Sequence, residues 1–354
     1  MNYKIVKLKT HDKSQKNRSV LLIYTGGTIG MIHDDAGSLV PFNFVKVIES
    51  IPELSKLELN LTVISFPKPI DSSDINPNDW VSLGYIIYEN YDQYDGFVIL
   101  HGTDTMAYSA SALSFMLEGL AKPVIFTGAQ IPIGNLRSDA RENLITAIEI
   151  ASDQQNGIPI VKEVCIYFNF GLFRGNRAQK VRSSTFAAFE SQNYRMLAES
   201  GIYIRYNETS LARPKGLTPL RLHQKFDNNV LILKIFPGLT ERIFNSIMGI
   251  KNLRGVVMET FGSGNVTSDH WFTEALIAAD KKGIIIFNVS QCSGGEVIHG
   301  QYETSKKLEE IGVVSGGNIT TEAAITKLML LLGRYDSHQN VKKNLTIPLN
   351  GEMD

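Results

Sequence analysis

Residues Val20 to Met31 read VLLIYTGGTIGM. The first five are continuously apolar, with no polar alternation, which marks a strand buried on both faces, as in a parallel sheet. The next residues set three glycines, Gly26, Gly27 and Gly30, around one hydroxyl, Thr28. Such a loop either cradles phosphates or exposes a nucleophile. A Walker loop needs G-x-x-x-x-G-K-[ST], but Met31 follows Gly30 where lysine is required. The dinucleotide fingerprint G-x-G-x-x-G fails as well, because TGGTIG reads G-G-x-x-G. Nucleotide binding is therefore not the reading.

The same pattern recurs along the chain: a short apolar run, a Gly- or Asp-bearing loop, then a helical period. LTVISF leads into PKPIDSSDINPNDW, with a helix expected from about Asp79 to Tyr91. GFVIL leads through HGTDT to AYSASALSFMLEGL, whose composition suits a well-buried helix. PVIFTG leads through AQIPIGNLRSD to ARENLITAIEIA, where Asp139 and Glu142 have capping-box spacing. VCIYFNF is a further strand. Strands alternating with helices imply βαβ units and an α/β fold with a doubly wound, mostly parallel sheet. Around 205–225 the periodicity fails, and Pro214, Gly216 and Pro219 suit a linker. Beyond it VLILKIF, GVVMETF and GIIIFNV read as strands, and WFTEALIAADKKG and TEAAITKLMLLLG as helices. The expected organisation is a flexible N-terminal arm over 1–19, a larger α/β domain over 20–204, a linker over 205–225 and a smaller α/β domain over 226–354.

The chain has 354 residues, 43% apolar and 20% charged, an ordinary globular balance. Lys plus Arg (35) nearly cancels Asp plus Glu (36), which argues against a broad interface with nucleic acid or an anionic membrane. The polar N-terminus lacks the apolar core of a secretory signal, and no apolar run approaches the ~20 residues of a membrane span. Cys165 and Cys292, both in strand-like contexts, read as buried free thiols rather than a disulfide. The cytoplasm is the expected compartment.

Open parallel sheets bind ligands beyond the carboxyl ends of their strands. The loops after VLLIY, LTVISF, GFVIL and VCIYFNF supply Thr28, then Asp71, Ser72, Ser73 and Asp74, then His101 to Thr105, then Arg174 to Arg177 with Lys180. The seven histidines are scattered, with neither H-x-x-x-H nor C-x-x-C, so no metal is expected. No G-x-S-x-G elbow occurs. Hydroxyl chemistry remains. A threonine hydroxyl needs a nearby proton acceptor, a role that a desolvated lysine oriented by a carboxylate can fill. Thr103, Asp104 and Lys180 form such a group if their chain segments converge. Each residue also has a plainer reading. Thr28, Thr103 or Asp104 can cap a helix, Asp71 and Asp74 can form Asx turns, and Lys180 can be a solvated lysine.

YTGGTIGM, DSSD and ILHGTDTMAYSASALSFML resemble the signature segments of the L-asparaginase family, and of its bacterial cytoplasmic type I branch in particular. VIFTGAQIPIGNLRSD, FRGNRAQK, QCSGG and TEAAITKLMLLL extend the resemblance from about Val20 to Gly333. It implies a two-domain asparaginase-like fold that hydrolyses L-asparagine to L-aspartate and ammonia through an acyl-enzyme, without a cofactor. By matching motifs, Thr28 resembles the nucleophile. Thr103, Asp104 and Lys180 resemble the second triad, which handles protons. Asp71, Ser72 and Ser73 resemble the loop that holds the substrate's α-amino and α-carboxylate groups, with Asp104 sharing the amine. The resemblance also implies a homodimer or a homotetramer built as a dimer of dimers. Asn265 of FGSGN resembles a residue contributed by the neighbouring subunit.

Two departures stand out. Family members usually carry a tyrosine on the loop after the first motif, whereas DDAGSLVPF has Ser38 near that place. Glu259 stands where an asparagine-regulated member has a basic residue, so regulation is not carried over. The rival readings are a broader asparaginase/glutaminase, a subunit of a tRNA-dependent amidotransferase, and a non-catalytic asparagine-binding sensor. Nineteen residues before the first strand leave no room for the amidotransferase subunit's added domain. A sensor would have no use for Thr28.

Overall fold

The computed structural model describes residues 4–9, 18–33, 39–41, 51–213, 218–298, 300 and 303–354. The chain divides into two units, 1–222 and 223–354.

In the first unit, β1 (Lys4–Lys9), β2 (Arg18–Gly26) and β3 (Leu59–Ile70) precede helix α1 (Pro77–Glu89). Then come β4 (Gly96–Leu100), α2 (Met106–Met116), β5 (Val124–Thr127), α3 (Ala140–Ser152) and β6 (Val164–Phe168). Further strands are β7 (Gly171–Arg174), the short pair β8 (Gln179–Lys180) and β9 (Phe189–Glu190), and then β10 (Ala198–Ser200) and β11 (Ile204–Tyr206). Nine of these strands make one sheet in the order β1-β3-β2-β4-β5-β6-β7-β10-β11. Its centre, from β3 to β6, is parallel, and both edges are antiparallel.

Continuous apolar runs produce this centre because both faces are covered. Val20, Leu22, Tyr24, Val98, Leu100 and Ile125 pack with Ala140, Leu144, Ala147 and Ile148 of α3. Leu21, Ile23, Phe97, Ile99 and Phe126, which alternate with them along the strands, are buried as well. Helix α1 starts two residues earlier than expected. Asn76 and Asp79 form its capping box, with Pro77 in the first turn. The capping box expected from Asp139 and Glu142 does not form. Asp139 already has helical dihedrals, and its carboxylate accepts from Gln130 N, Ile131 N and Asn143 Nδ2. Glu142 instead accepts from Thr146 Oγ1 and Tyr167 Oη.

Two boundaries also change. Residues 4–9, assigned to the flexible arm, form edge strand β1, paired antiparallel with β3 from Lys4↔Ser65 to Lys9↔Asn60. Of the stretch read as a linker, residues 205–206 belong to β11, and Arg221–Leu222 pair with Leu117–Glu118. Cys165 is a buried free thiol in β6, whereas Cys292 is exposed and lies beyond its strand.

In the second unit, β12 (Val230–Lys234), α4 (Glu241–Met248), β13 (Gly255–Thr260), α5 (His270–Lys281), β14 (Ile285–Ser290), α6 (Glu303–Glu310) and β15 (Val314–Ser315) alternate. Helices α7 (Thr321–Arg334) and α8 (His338–Leu345) follow. The four strands lie parallel in sequence order. Leu233, Phe244, Val256, Met258, Phe272, Leu276 and Ile286 share its core.

One ion pair lies fully inside this unit. Lys327 on α7 and Glu352 near the carboxyl terminus are both 0% exposed, with Nζ 2.7 Å from Oε1. Nζ also donates to the carbonyls of Leu345 and Ile347, and Glu352 accepts from the amides of Leu349 and Asn350. Burial pulls the Lys327 pKa down, and Glu352 opposes that shift. Removing one member of such a pair strands the other charge, at a cost of roughly 3–5 kcal/mol. Lys327→Met should therefore lower the urea midpoint sharply, and Lys327→Met/Glu352→Gln should recover part of the loss. Midpoints equal to the parent's in both variants would refute this account.

Candidate active site

The strand order places a topological switch at β2 and β4, because the chain leaves β2 for β3 on one side and returns to β4 on the other. Ligands of open α/β sheets bind in the crevice at such a point. The loops there are TGGT after β2, DSSD after β3 and HGTD after β4, and three glycines let them touch. At Gly27 (φ 86°) a methyl group would lie 2.5 Å from Gly102 N. At Gly26 (φ 144°) it would collide with the Ile70 carbonyl, and at Gly102 it would lie 2.5 Å from Ser72 Oγ. Gly26 and Gly27 thus lie against backbone of the neighbouring loops and Gly102 against the Ser72 side chain, so none of the three has room for a side chain of its own.

Thr28 opens a 3₁₀ turn, Thr28–Gly30, closed by Gly30 N donating to the Gly27 carbonyl. Tyr24 lies beneath it, its hydroxyl filling the space where a Gly30 side chain would stand. Burial pushes the Tyr24 pKa up to about 12. After β3, Asp71 caps a second 3₁₀ turn, Ser72–Asp74, its Oδ1 accepting from both the amide and the hydroxyl of Ser73 at 2.9 Å. Asp71, Ser73 and Asp74 are exposed, and Ser72 is buried. The Ser72 carbonyl accepts from Thr105 Oγ1 at 2.6 Å, tying the second loop to the third. Helix α2 begins after Thr105 with no side-chain cap, so neither Thr103 nor Asp104 is spent on capping.

Lys180 Nζ lies 2.7 Å from Thr103 Oγ1 and 2.6 Å from Asp104 Oδ1. The lysine side chain is 16% exposed and the Asp104 side chain 66%. The structure thus brings Thr103, Asp104 and Lys180 into direct contact. Gly27, which precedes Thr28, and the Ser72 side chain both lie against Gly102, which precedes Thr103. Among the described residues, no hydrogen bond joins the Thr28 hydroxyl to Thr103, Asp104 or Lys180. Ser38, which stands near the expected tyrosine position, lies outside the described residues.

Lys180 arrives by a route that the strand-end rule does not give. Strand β7 runs antiparallel to β6, so Arg174 ends opposite Cys165, at the amino end of β6. There Arg174 pairs with Glu163 at 2.6 Å and donates to the Ser210 carbonyl. Arg174 and Arg177 both stack on the Tyr194 ring. These arginines, expected beside Lys180, hold the 194–212 segment instead. Lys180 then sits on the β8–β9 hairpin.

Gln130 has no role in the sequence reading, yet it joins this group. Thr103 Oγ1 lies 3.5 Å from its Oε1, and its Nε2 donates to the carbonyls of Ser183 and Thr185 at the tip of the hairpin. The available signal is its place in the loop after β5, at the carboxyl end of a central parallel strand. Burial pushes the His101 pKa down to about 4, so its ring is neutral near pH 7.

Among the described residues, no group of three or more His, Cys, Asp or Glu could hold a metal ion, and no helix is long and apolar enough to cross a membrane. The chemistry available is that of hydroxyls, a carboxylate and an amine beside glycine-rich backbone.

Comparison with known proteins identifies the family. Residues 19–212 match the asparaginase N-terminal domain, and residues 229–345 match the glutaminase/asparaginase C-terminal domain. The chain is 38% identical to L-asparaginase 1 of Escherichia coli K12 over 340 residues, covering 96% of this chain and 98% of that one. A crystal structure of L-asparaginase I from Vibrio cholerae superposes with a TM-score of 0.87 at 38% identity, covering 96% of this chain and all of the other. The thermostable L-asparaginase of Thermococcus kodakarensis gives a TM-score of 0.85 at 29% identity, with 95% and 99% covered. The chain belongs to the asparaginase family.

Proposed function

We propose that this chain hydrolyses L-asparagine to L-aspartate and ammonia, with Thr28 as the nucleophile. The observation that carries the proposal is the contact of Lys180 Nζ with both Thr103 and Asp104, in a loop that meets the TGGT turn. Thr28 Oγ1 attacks the side-chain amide carbon, and the carbonyl π pair moves to oxygen. Collapse of this adduct breaks the C–N bond. The nitrogen takes a proton and leaves as ammonia, and a β-aspartyl ester remains on Thr28. Water then cleaves the ester, restoring the hydroxyl and releasing L-aspartate. Thr103 and Lys180 exchange the protons that leave the attacking oxygens and reach the departing nitrogen. Backbone N–H groups of the glycine turns stabilise the oxyanion.

Asp71, Ser72, Ser73 and Asp104 hold the amino-acid end of the substrate. Asp71 Oδ1 carries both bonds to Ser73, which leaves Oδ2 for the substrate ammonium. No cofactor is required. The proposed working form is a cytoplasmic homodimer or homotetramer.

The test is ammonia release from L-asparagine, L-glutamine and D-asparagine by the parent protein. Release is expected from L-asparagine. Equal kcat/KM for L-glutamine would point to the broader asparaginase/glutaminase, because one methylene changes selectivity by only ~1–3 kcal/mol. Binding of asparagine without ammonia release would favour the sensor and sink the enzyme reading.

A further inference from the structure

A buried polar chain behind the third loop has no part in the chemistry described so far. It runs from Trp80 on α1 through Ser109 on α2 to His101, which are 6%, 0% and 1% exposed. Trp80 Nε1 lies 2.9 Å from Ser109 Oγ, Ser109 Oγ lies 2.9 Å from His101 Nε2, and His101 Nδ1 lies 2.7 Å from the Gly102 carbonyl oxygen.

The direction of this chain follows from donor inventory alone. An indole N–H can only donate, so Trp80 donates to the Ser109 oxygen. The Ser109 oxygen has a second lone pair, so this bond alone leaves the His101 contact open, and the other ring nitrogen decides it. The Gly102 carbonyl can only accept, so the one proton of a neutral imidazole sits on Nδ1 and Nε2 is left to accept from the Ser109 hydroxyl. All four groups are satisfied in one direction only.

The end point is where this matters. Gly102 is the residue at which the three loops meet, against Gly27 on one side and Ser72 on the other. Its carbonyl and the Thr103 N–H belong to one peptide plane, and in a trans peptide these two groups point opposite ways. Holding the carbonyl therefore fixes the orientation of the peptide that leads directly into Thr103.

We propose that His101 is a positioning residue for the reaction: its Nδ1–H, set by Ser109 and Trp80, locks the Gly102–Thr103 peptide and so holds Thr103 against Lys180. This rests on the hydrolase reading given above. His101 itself touches neither substrate nor reacting atoms and transfers no proton.

Two substitutions separate the two ring nitrogens. Asparagine places an amide nitrogen at the δ position and can replace the donor to Gly102. Glutamine reaches the ε position and cannot. His101→Gln is expected to lower kcat for L-asparagine by about tenfold, short of the ~100-fold that a 1 Å misplacement can cause, with KM changed less than threefold. His101→Asn should recover most of that loss, although it leaves a comparable void. Ser109→Ala removes the group that sets the tautomer and should fall between them. A side chain that merely fills space would make the asparagine and glutamine variants equal in kcat, and that result would overturn the proposal.

The second measurement needs no substitution. In the ¹⁵N-labelled parent protein, the His101 ring should show a protonated Nδ1 and an unprotonated Nε2. A proton on Nε2 overturns the proposal even if the variants fail to fold. Failure of the hydrolase reading is separately visible, as a parent protein that releases no ammonia from asparagine whatever its His101 tautomer.

Discussion

Thr28→Ala should lower kcat for L-asparagine by about 10³-fold or more, the scale seen when a nucleophile is removed. The substitution deletes one hydroxyl and one methyl from a half-buried position in a turn held by backbone bonds. Stability should therefore change little, and the loss should fall on the chemical step. The sharper readout is covalent. Rapid quenching of the parent with L-asparagine should leave one aspartyl group on the peptide carrying Thr28, and the alanine variant should carry none. Thr28→Ser keeps the hydroxyl and should keep measurable turnover. An adduct on the peptide containing Thr103 would move the nucleophile to the other hydroxyl.

Lys180→Met is the second large effect, again about 10³-fold in kcat. Methionine keeps the length of the stem and removes the ammonium that contacts Thr103 and Asp104. The ion pair with Asp104 is a weak source of stability, because the carboxylate is mostly exposed and solvent screens the pair. The hairpin keeps its register through Gln179↔Glu190 and Lys180↔Phe189 whatever the side chain. The expected result is thus a protein with the parent's melting temperature and almost no turnover. Activity within tenfold of the parent would remove Lys180 from the proton path.

The central sheet was legible because residues buried on both faces leave an unbroken apolar signature, as in VLLIY and GFVIL. The edge was not. KIVKLK alternates lysine with apolar residues, the composition by which edge strands resist further pairing, and it reads like a solvated arm. Thr28, Thr103 and Asp104 were legible because they follow parallel strands directly. Lys180 is legible as a candidate, but its path is not, since nothing local in GLFR says that the strand turns back. Asp139 illustrates a further limit. Capping-box spacing states what a side chain can do, whereas the competing amides of Gln130 and Ile131 become visible only in three dimensions.

The three-loop contact at Gly26, Gly27 and Gly102 has a consequence for how this chain can diverge. None of the three glycines has room for one added carbon, so a side chain at Gly26 or Gly27 requires a backbone shift in a neighbouring loop and one at Gly102 requires a change at Ser72. Mutational paths across it should be strongly epistatic, with viable double variants whose single-step ancestors are dead. Tolerated variation is therefore expected around this knot rather than in it, for example at Gln130 and the 183–185 tip it holds.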